Sequence, residues 1–204
     1  MVTSSTGQQR AQRTRRRICD AAKELFLTQG YTTTTIIDIA RAAGVAHQTV
    51  YFVFGSKAAL LSAIMDGEIV GDLDPIPLLE RPHVKRIAQI SDPVRRLHRV
   101  VAVSCDITQR LAPLYEIVRS GAAEAEVREL LDRHEDQRWH SHRALLSMLE
   151  DALPSGLDPD EAADRLYALL SHEVFWLLVH RRGWSARQWR QYVMNEAVRQ
   201  ILTS

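Results

Sequence analysis

Residues 34–57 contain two short helical patterns separated by a glycine, and few folds accommodate such a pair. Thr35 is followed three residues later by Asp38, which is the spacing of a capping box at the start of a helix. Gly44 ends that helix, because glycine readily adopts the left-handed conformation of a C-terminal cap. A second short helix is predicted at about residues 47–52. The spacing therefore predicts a helix-turn-helix, whose second helix lies in the major groove when such a unit binds DNA.

The rest of the chain also has helical patterns, and no run of residues alternates as a strand does. Three prolines at positions 75, 77 and 82 mark a loop and a domain boundary, because proline lacks the amide hydrogen that a helix needs. We predict an all-α chain of about nine to ten helices. Its parts are a disordered basic arm at 1–12, a helix-turn-helix domain at 13–66 and a helical domain at 67–204.

The formal net charge of +1 hides an uneven distribution of charged residues. Residues 1–60 contain eight Lys or Arg and three Asp or Glu, which leaves 18 basic and 22 acidic residues in the remainder. A basic N-terminal region on an acidic body indicates that the N-terminal region meets a polyanion. A basic tail without any partner is the alternative reading of the charge alone.

Several classes of protein are disfavoured by what the sequence lacks. Its apolar runs are far shorter than a membrane span, and its polar N-terminus does not resemble a secretory signal, so we expect a cytoplasmic protein without a membrane partner. Nucleophile-elbow, phosphate-loop and zinc-protease motifs are missing, so no catalytic residue and no cofactor are predicted. His134, His140 and His142 do not form an i, i+4 pair, so no metal site is predicted either.

Several motifs in register resemble the DNA-binding signature of the TetR family. They are Thr34-Thr35-Ile36-Ile37-Asp38-Ile39-Ala40, Ala43-Gly44-Val45, Thr49-Val50-Tyr51 and Phe54-Gly55-Ser56-Lys57. The resemblance covers residues 15–65. It implies a transcriptional regulator that binds double-stranded operator DNA as a homodimer, with a helical C-terminal domain that dimerises and often holds an effector. The sequence departs from the family pattern at Ile37, Ala46 and Val53.

The predicted DNA contacts combine side-chain chemistry with this resemblance. Gln48 can bond a base edge, and Thr49 and Phe52 can contact a thymine methyl group. Tyr51 and Lys57 suit phosphate contacts. The complete predicted set is Arg15, Arg16, Thr34, Thr35, His47, Gln48, Thr49, Tyr51, Phe52 and Lys57. For the arginines, sequence-independent affinity and minor-groove reading both remain open, and a three-helix unit that only packs is the alternative for the whole domain.

The C-terminal region is predicted to dimerise through helices at about 160–182 and 186–202, each of which carries a broad apolar stripe. A two-fold dimer should bind an operator that is palindromic or nearly so. Candidate effector-binding residues mix aromatic and polar groups, and core packing is the alternative role for each: Tyr115, Arg119, Trp139, His142, His172, Phe175 and Trp176. The resulting hypothesis is a repressor that a small molecule releases from DNA. A DNA-binding regulator without an effector and a small helical enzyme are the alternatives.

Overall fold

The computed structural model of the chain describes residues 6–71 and 76–203. Within these residues no strand occurs, so the all-α prediction is confirmed. The first four helices, α1 to α4, cover Thr6–Gln29, Ile36–Ala43, His47–Phe54 and Lys57–Val70. Helices α5 to α10 cover Pro82–Lys85, Pro93–Ser120, Ala125–Leu146, Pro159–Leu169, His172–Phe175 and Ala186–Ile201. Short 3-10 helices lie at Leu78–Glu80, Arg86–Gln89 and Ser147–Ala152.

The chain divides into two compact units, each built from two stretches of sequence. The N-terminal unit comprises Met1–Leu73 and Pro113–Leu131, and the C-terminal unit comprises Asp74–Ala112 and Asp132–Ser204. The sequence predicts a single boundary near residue 67, and the structure differs because residues 113–131 pack with the first helices. At Gly121, for example, an added Cβ atom would lie only 3.1 Å from Cδ1 of the buried Tyr31 ring.

Helix α1 starts earlier than the sequence predicts. Residues 6–12 form its first turns instead of a disordered arm, while residues 1–5 lie outside the described residues. The sequence after Gly7 is rich in Gln, Arg and Ala, which are good helix formers, and contains no proline to interrupt the helix. Farther along α1, Ile18, Ala22 and Phe26 are fully buried and fix the helix in the N-terminal unit.

The C-terminal unit has an apolar core to which α6, α7, α8 and α10 contribute. Trp189 of α10 is fully buried and meets Phe175 edge to face, with ring centroids 4.8 Å apart. Val193, Ala197 and Ile201 continue the same face of α10 and have no exposed surface. Burial of each large apolar side chain stabilises the fold by roughly 1.5–3 kcal/mol. The apolar stripe of α10 is therefore part of the core of a single chain.

The predicted helix at about residues 160–182 is not continuous. Helix α8 ends at Leu169, and Ser171 caps the start of α9, because its side chain accepts a hydrogen bond from the Val174 amide. The buried Thr108 hydroxyl donates to the Leu170 carbonyl at 3.2 Å, which satisfies an acceptor that the break would otherwise leave unpaired. Residues Trp176–Arg181 then wind as a π-helix. Thr108, a partner distant in sequence, supports the interruption, and periodicity alone does not reveal it.

Two buried histidines lie in the C-terminal unit. His142 is 6% exposed and His172 is 5% exposed. Burial lowers the pKa of His142 to about 3, and the charge of Arg138 lowers it further. Burial, followed by Arg138, lowers the pKa of His172 to about 4. Both imidazoles are therefore neutral at neutral pH.

In residues 6–71 and 76–203, no single helix has the length and apolar character to cross a membrane. The pair α3 and α4 reaches the required length and composition only when taken together, across a bend of 66°.

The buried histidines predict a pH-dependent stability. In the unfolded chain these two histidines take up protons near pH 6.5, whereas in the folded chain they do so only near pH 3 and pH 4. Between these pH values the unfolded state therefore binds more protons than the folded state. The free energy of unfolding should therefore fall as the pH drops below 6.5, by up to about 1.4 kcal/mol per pH unit for each histidine. Urea unfolding at several pH values measures this slope.

The variant His142→Asn should flatten the slope, because it removes one of the two titrating groups. His140 is exposed on the same helix, so His140→Asn serves as the matched control and should leave the slope unchanged. Equal slopes in the wild type and His142→Asn would contradict the assignment.

Candidate nucleic-acid interface

Helix α2 begins with the capping box that the sequence predicts. The Thr35 hydroxyl accepts a hydrogen bond from the Asp38 amide at 3.2 Å, and the Asp38 carboxylate accepts one from the Thr35 amide at 3.4 Å. The Thr35 hydroxyl also donates to this carboxylate at 2.5 Å, which lowers the pKa of Asp38. Thr35 is exposed, but its hydroxyl already has a structural role at the N-terminus of α2.

The turn between α2 and α3 depends on Gly44. Its φ of 62° lies in the left-handed region, and its amide donates to carbonyls of α2. The Arg17 guanidinium from α1 donates to the carbonyl of Ala43, the last residue of α2, and to the carbonyl of Gly44 itself. A Cβ atom at residue 44 would lie 2.8 Å from Nη2 of Arg17. Glycine thus allows both the reversal of the chain and the approach of the arginine.

Helix α3 has one buried and one exposed side. Val50 is 1% exposed, and Phe54 is half-buried beneath the Arg15 guanidinium, which lies 4.5 Å from the ring centroid. The N-cap residue of α3 is Ala46, which makes no side-chain hydrogen bond. The packing of this buried side therefore fixes which residues of α3 face solvent.

The exposed side of α3 contains most of the predicted base-reading residues. His47 and Gln48 are exposed, Tyr51 is 53% exposed and Phe52 is 92% exposed. Thr49 is half-buried. The structure thus brings this part of the predicted set together on one short helix, with hydrogen-bonding, hydroxyl and aromatic groups available to a partner.

Two other predicted contacts have internal partners. Thr34 is 1% exposed, and its hydroxyl donates to the Gly30 carbonyl at 2.8 Å and to the Leu25 carbonyl at 3.3 Å. The Lys57 ammonium donates to the Tyr31 carbonyl at 3.0 Å and to the Thr34 carbonyl at 3.4 Å. Both side chains hold the α1–α2 connection in place.

Lys57 is also bound through its charge. Its Nζ atom lies 4.0 Å from the centroid of the Tyr31 ring, in a cation–π contact. Because an ammonium group has three hydrogens and two carbonyls accept from it, one donor remains for a phosphate. Lys57 is therefore first a structural residue of the helix-turn-helix.

The arginines of α1 border the helix-turn-helix on its N-terminal side. Arg15 lies against Phe54 of α3, and the exposed Arg16 is 3.9 Å from Asp20. Arg10 and Arg13 are exposed on the preceding turns of the same helix. Sequence reasoning did not assign a site role to Arg17, because its contact with the α2–α3 turn joins residues 26 and 27 positions apart. No local pattern indicates that contact.

The predicted effector-binding residues are divided between the two units. Tyr115 and Arg119 belong to the N-terminal unit, where Arg119 is exposed and 3.2 Å from Glu116. The other five belong to the C-terminal unit: Trp139, His142, His172, Phe175 and Trp176.

These five residues have different surroundings within the C-terminal unit. The indole of the half-buried Trp139 donates to Asp164 at 2.7 Å, and the Trp176 ring lies beneath the Arg181 guanidinium at 4.7 Å. His142 and Phe175 are buried, and Nδ1 of His142 has no hydrogen-bond partner in the described structure. In the same described part of the chain, no three His, Cys, Asp or Glu side chains are arranged to hold a metal ion.

The chain is similar to known proteins in its helix-turn-helix and over most of its remaining length. Residues 18–64 match the sequence profile of the bacterial regulatory proteins of the tetR family. The HTH-type transcriptional regulator TtgR of Pseudomonas putida is 24% identical over 189 residues, which cover 83% of this chain and 82% of TtgR.

Two solved structures share the fold. NalD, the secondary repressor of the MexAB-OprM multidrug efflux pump in Pseudomonas aeruginosa, is 24% identical with a TM-score of 0.66, over 94% of this chain and 98% of NalD. The transcriptional regulator FadR from Bacillus subtilis, in complex with stearoyl-CoA, is 19% identical with a TM-score of 0.69, over 91% of this chain and 98% of FadR.

The contacts of Lys57 predict that it stabilises the N-terminal unit. Replacing Lys57 with Met removes two hydrogen bonds to carbonyls and the charge over the Tyr31 ring. The free energy of unfolding should fall by about 1.5–3 kcal/mol, the usual range for hydrogen bonds of charged groups. Urea unfolding followed by circular dichroism measures this change.

Arg41→Gln is the control, because Arg41 is an exposed cation of the same unit that pairs with Asp38 on the surface. Its loss should cost less than about 1 kcal/mol. If Lys57→Met were as mild as this control, the structural role of Lys57 would be wrong.

Proposed function

Because the chain is a transcriptional regulator of the tetR family, with the helix-turn-helix DNA-binding domain of that family at residues 18–64, we propose that it represses transcription as a homodimer on a palindromic operator. The observation that carries this proposal is the exposed side of α3 next to exposed arginines of α1. The small helical enzyme is set aside, since the family and the relatives are transcriptional regulators and not enzymes.

The proposed DNA contacts follow from which side chains are open to a partner. His47, Gln48 and Phe52 read base edges from the exposed side of α3, and Thr49 contributes from its half-buried position. The hydroxyl of Tyr51 binds a phosphate. Thr34 and Thr35 act mainly by positioning the start of α2, because their hydroxyls are bound internally.

Electrostatic attraction supports the same interface. Arg15 and Arg16, together with Arg10 and Arg13, are exposed and offer positive charge beside the helix-turn-helix. The remaining N–H group of the Lys57 ammonium donates to a nearby phosphate. Each phosphate that these cations neutralise releases counterions, so the affinity should fall steeply with salt concentration. We also propose a cytoplasmic location for the protein, because its proposed partner is DNA.

Dimerisation is proposed through residues 160–182 and 186–202, although not through the stripe of α10 that is buried within the chain. Leu177 is 52% exposed and Tyr192 is 37% exposed, with Tyr192 edge to face against Trp184 at 5.7 Å. These apolar side chains gain from burial against a second copy. A two-fold dimer then presents two copies of α3 to two half-sites of a palindrome.

An effector is proposed to bind in the C-terminal unit. Among the buried polar atoms of this unit without a hydrogen-bond partner in the described residues are Ser104 Oγ, His142 Nδ1 and Trp189 Nε1. Such atoms are costly unless a water or a ligand satisfies them. The FadR structure holds stearoyl-CoA, a small-molecule complex in the same fold. A regulator without an effector is the second candidate, favoured by the internal partners of two predicted pocket residues: the Trp139 indole donates to Asp164, and the Phe175 ring packs against Trp189.

The operator is the first test of the proposed function. Selection from random duplexes should yield a palindrome bound by two chains, with an affinity that falls steeply as salt increases. Gln48→Ala should change the preferred base at one position, at a cost of about 1–3 kcal/mol. Tyr51→Phe should instead weaken binding to operator and unrelated DNA alike, because it removes only a phosphate contact. Fluorescence anisotropy measures both effects.

The proposed homodimer is tested with one variant on the proposed dimer surface and a control variant away from it. Leu177→Asp places a charge on the proposed dimer surface and should give a monomer in light scattering, with loss of operator affinity. Leu27→Asp changes a leucine of similar exposure in the N-terminal unit and should leave the dimer intact. Failure to select any palindrome would reject the operator hypothesis.

The effector is tested with native mass spectrometry of the purified protein and a thermal-shift screen of small molecules. A compound that binds should weaken operator binding by at least about fivefold, and operator DNA should weaken binding of that compound by the same factor. His142→Ala should reduce the affinity for the compound without changing operator affinity in its absence. If no compound couples to DNA binding, the regulator without an effector is the better description.

A further inference from the structure

Phe52 is the most exposed of the large apolar side chains in the described part of the chain. It is 92% exposed, while Ile37 at 59% and Tyr51 at 53% follow it. A partner that covers this phenyl ring gains from removing its apolar surface from water. Phe52 therefore offers a binding partner a large apolar contact.

Packing within the N-terminal unit does not require Phe52. Helix α3 is anchored by Val50, which is 1% exposed, and by the contact between Phe54 and Arg15. The hydrogen bonds of Arg17 hold the preceding turn, and Gly55 closes the helix through the Tyr51 carbonyl. Phe52 thus faces solvent from a helix whose position is set by other residues.

The position of Phe52 on α3 relates it to Gln48. Residues four apart lie on the same side of a helix, and the rise between them is about 6 Å. Base pairs in B-DNA are stacked about 3.4 Å apart. A helix lying along the major groove would therefore bring Gln48 and Phe52 to positions about two base pairs apart.

The chemistry of a phenyl ring selects among the four bases. The major-groove edges offer hydrogen-bonding groups at every base pair, and thymine alone adds an apolar group, its C5-methyl. Covering an amino or carbonyl group with Phe52 would remove that group from water without giving it a partner. Contact with a methyl group has no such cost and removes apolar surface of both partners from water.

We infer that Phe52 is a specificity-determining residue that recognises the C5-methyl group of a thymine about two base pairs from the base that Gln48 contacts. The inference rests on the proposed operator binding and adds to it the identity of one base. The exposed arginines 10, 13, 15 and 16 on the adjoining helix supply the phosphate contacts that hold α3 against the bases.

The test removes single methyl groups from the DNA and leaves the protein intact. Each thymine of the selected operator is replaced in turn by deoxyuridine, symmetrically in both half-sites, and the affinity is measured by fluorescence anisotropy. One buried methyl group corresponds to about a fourfold loss per half-site and about a fifteenfold loss for the palindrome. We expect one such position, about two base pairs from the position at which Gln48→Ala changes base preference.

Protein variants identify the side chain responsible. Phe52→Ala should lower operator affinity and abolish the difference between thymine and deoxyuridine at that position, while Phe52→Leu should keep most of it. Since Phe52 is almost fully exposed, neither variant should affect folding, which circular dichroism checks. Leu27→Ala is the matched control, because it trims another exposed apolar side chain of the unit and should change neither affinity nor the methyl effect.

The outcomes separate this inference from the proposed function. If the wild type binds a palindrome but no deoxyuridine weakens binding, the role of Phe52 is wrong and the proposed function stands. A methyl effect that persists in Phe52→Ala assigns the methyl contact to another residue and also overturns the inference. If no duplex is bound specifically, the proposed function itself fails.

Discussion

Eight residues are too few to keep a helix folded in water by backbone hydrogen bonds alone, so α3 depends on being held against its neighbours. Val50 is buried in that contact, and Arg15 covers Phe54. Ala46 gives the helix no side-chain cap, which increases its dependence on packing. Everything the protein can present to DNA from this helix follows from which side is packed.

The N-terminal unit separates residues that build the helix-turn-helix from residues that remain open to a partner. Thr34 and Lys57 resemble DNA contacts in sequence, yet their polar atoms bind carbonyls of the α1–α2 connection. Gln48 and Phe52, in contrast, are exposed. A positively charged or hydroxyl side chain in a DNA-binding motif is therefore not evidence of a DNA contact until its internal partners are known.

Local signals predicted much of this fold, and long-range contacts account for what was missed. The capping box of Thr35 and the turn at Gly44 were predictable because their chemistry lies within a few residues. The break at Leu170 was not, because the Thr108 hydroxyl that supports it comes from another helix. The same applies to residues 113–131, whose packing beside Tyr31 gives the N-terminal unit a second stretch of chain. For the candidate site, the exposed side of α3 was predictable from helical spacing, and the contact of Arg17 with the turn was not.

Helix α1 continues to Thr6, so the arginines at 10 and 13 are carried on an ordered backbone. A flexible arm loses about 1–2 kcal/mol of backbone entropy for each residue that becomes ordered on its partner. Arginines on a preformed helix avoid most of that loss, because only their side chains have to be immobilised. In the DNA binding that we propose, the attraction of these arginines to phosphates is opposed mainly by side-chain ordering, which favours an affinity that does not depend on base sequence.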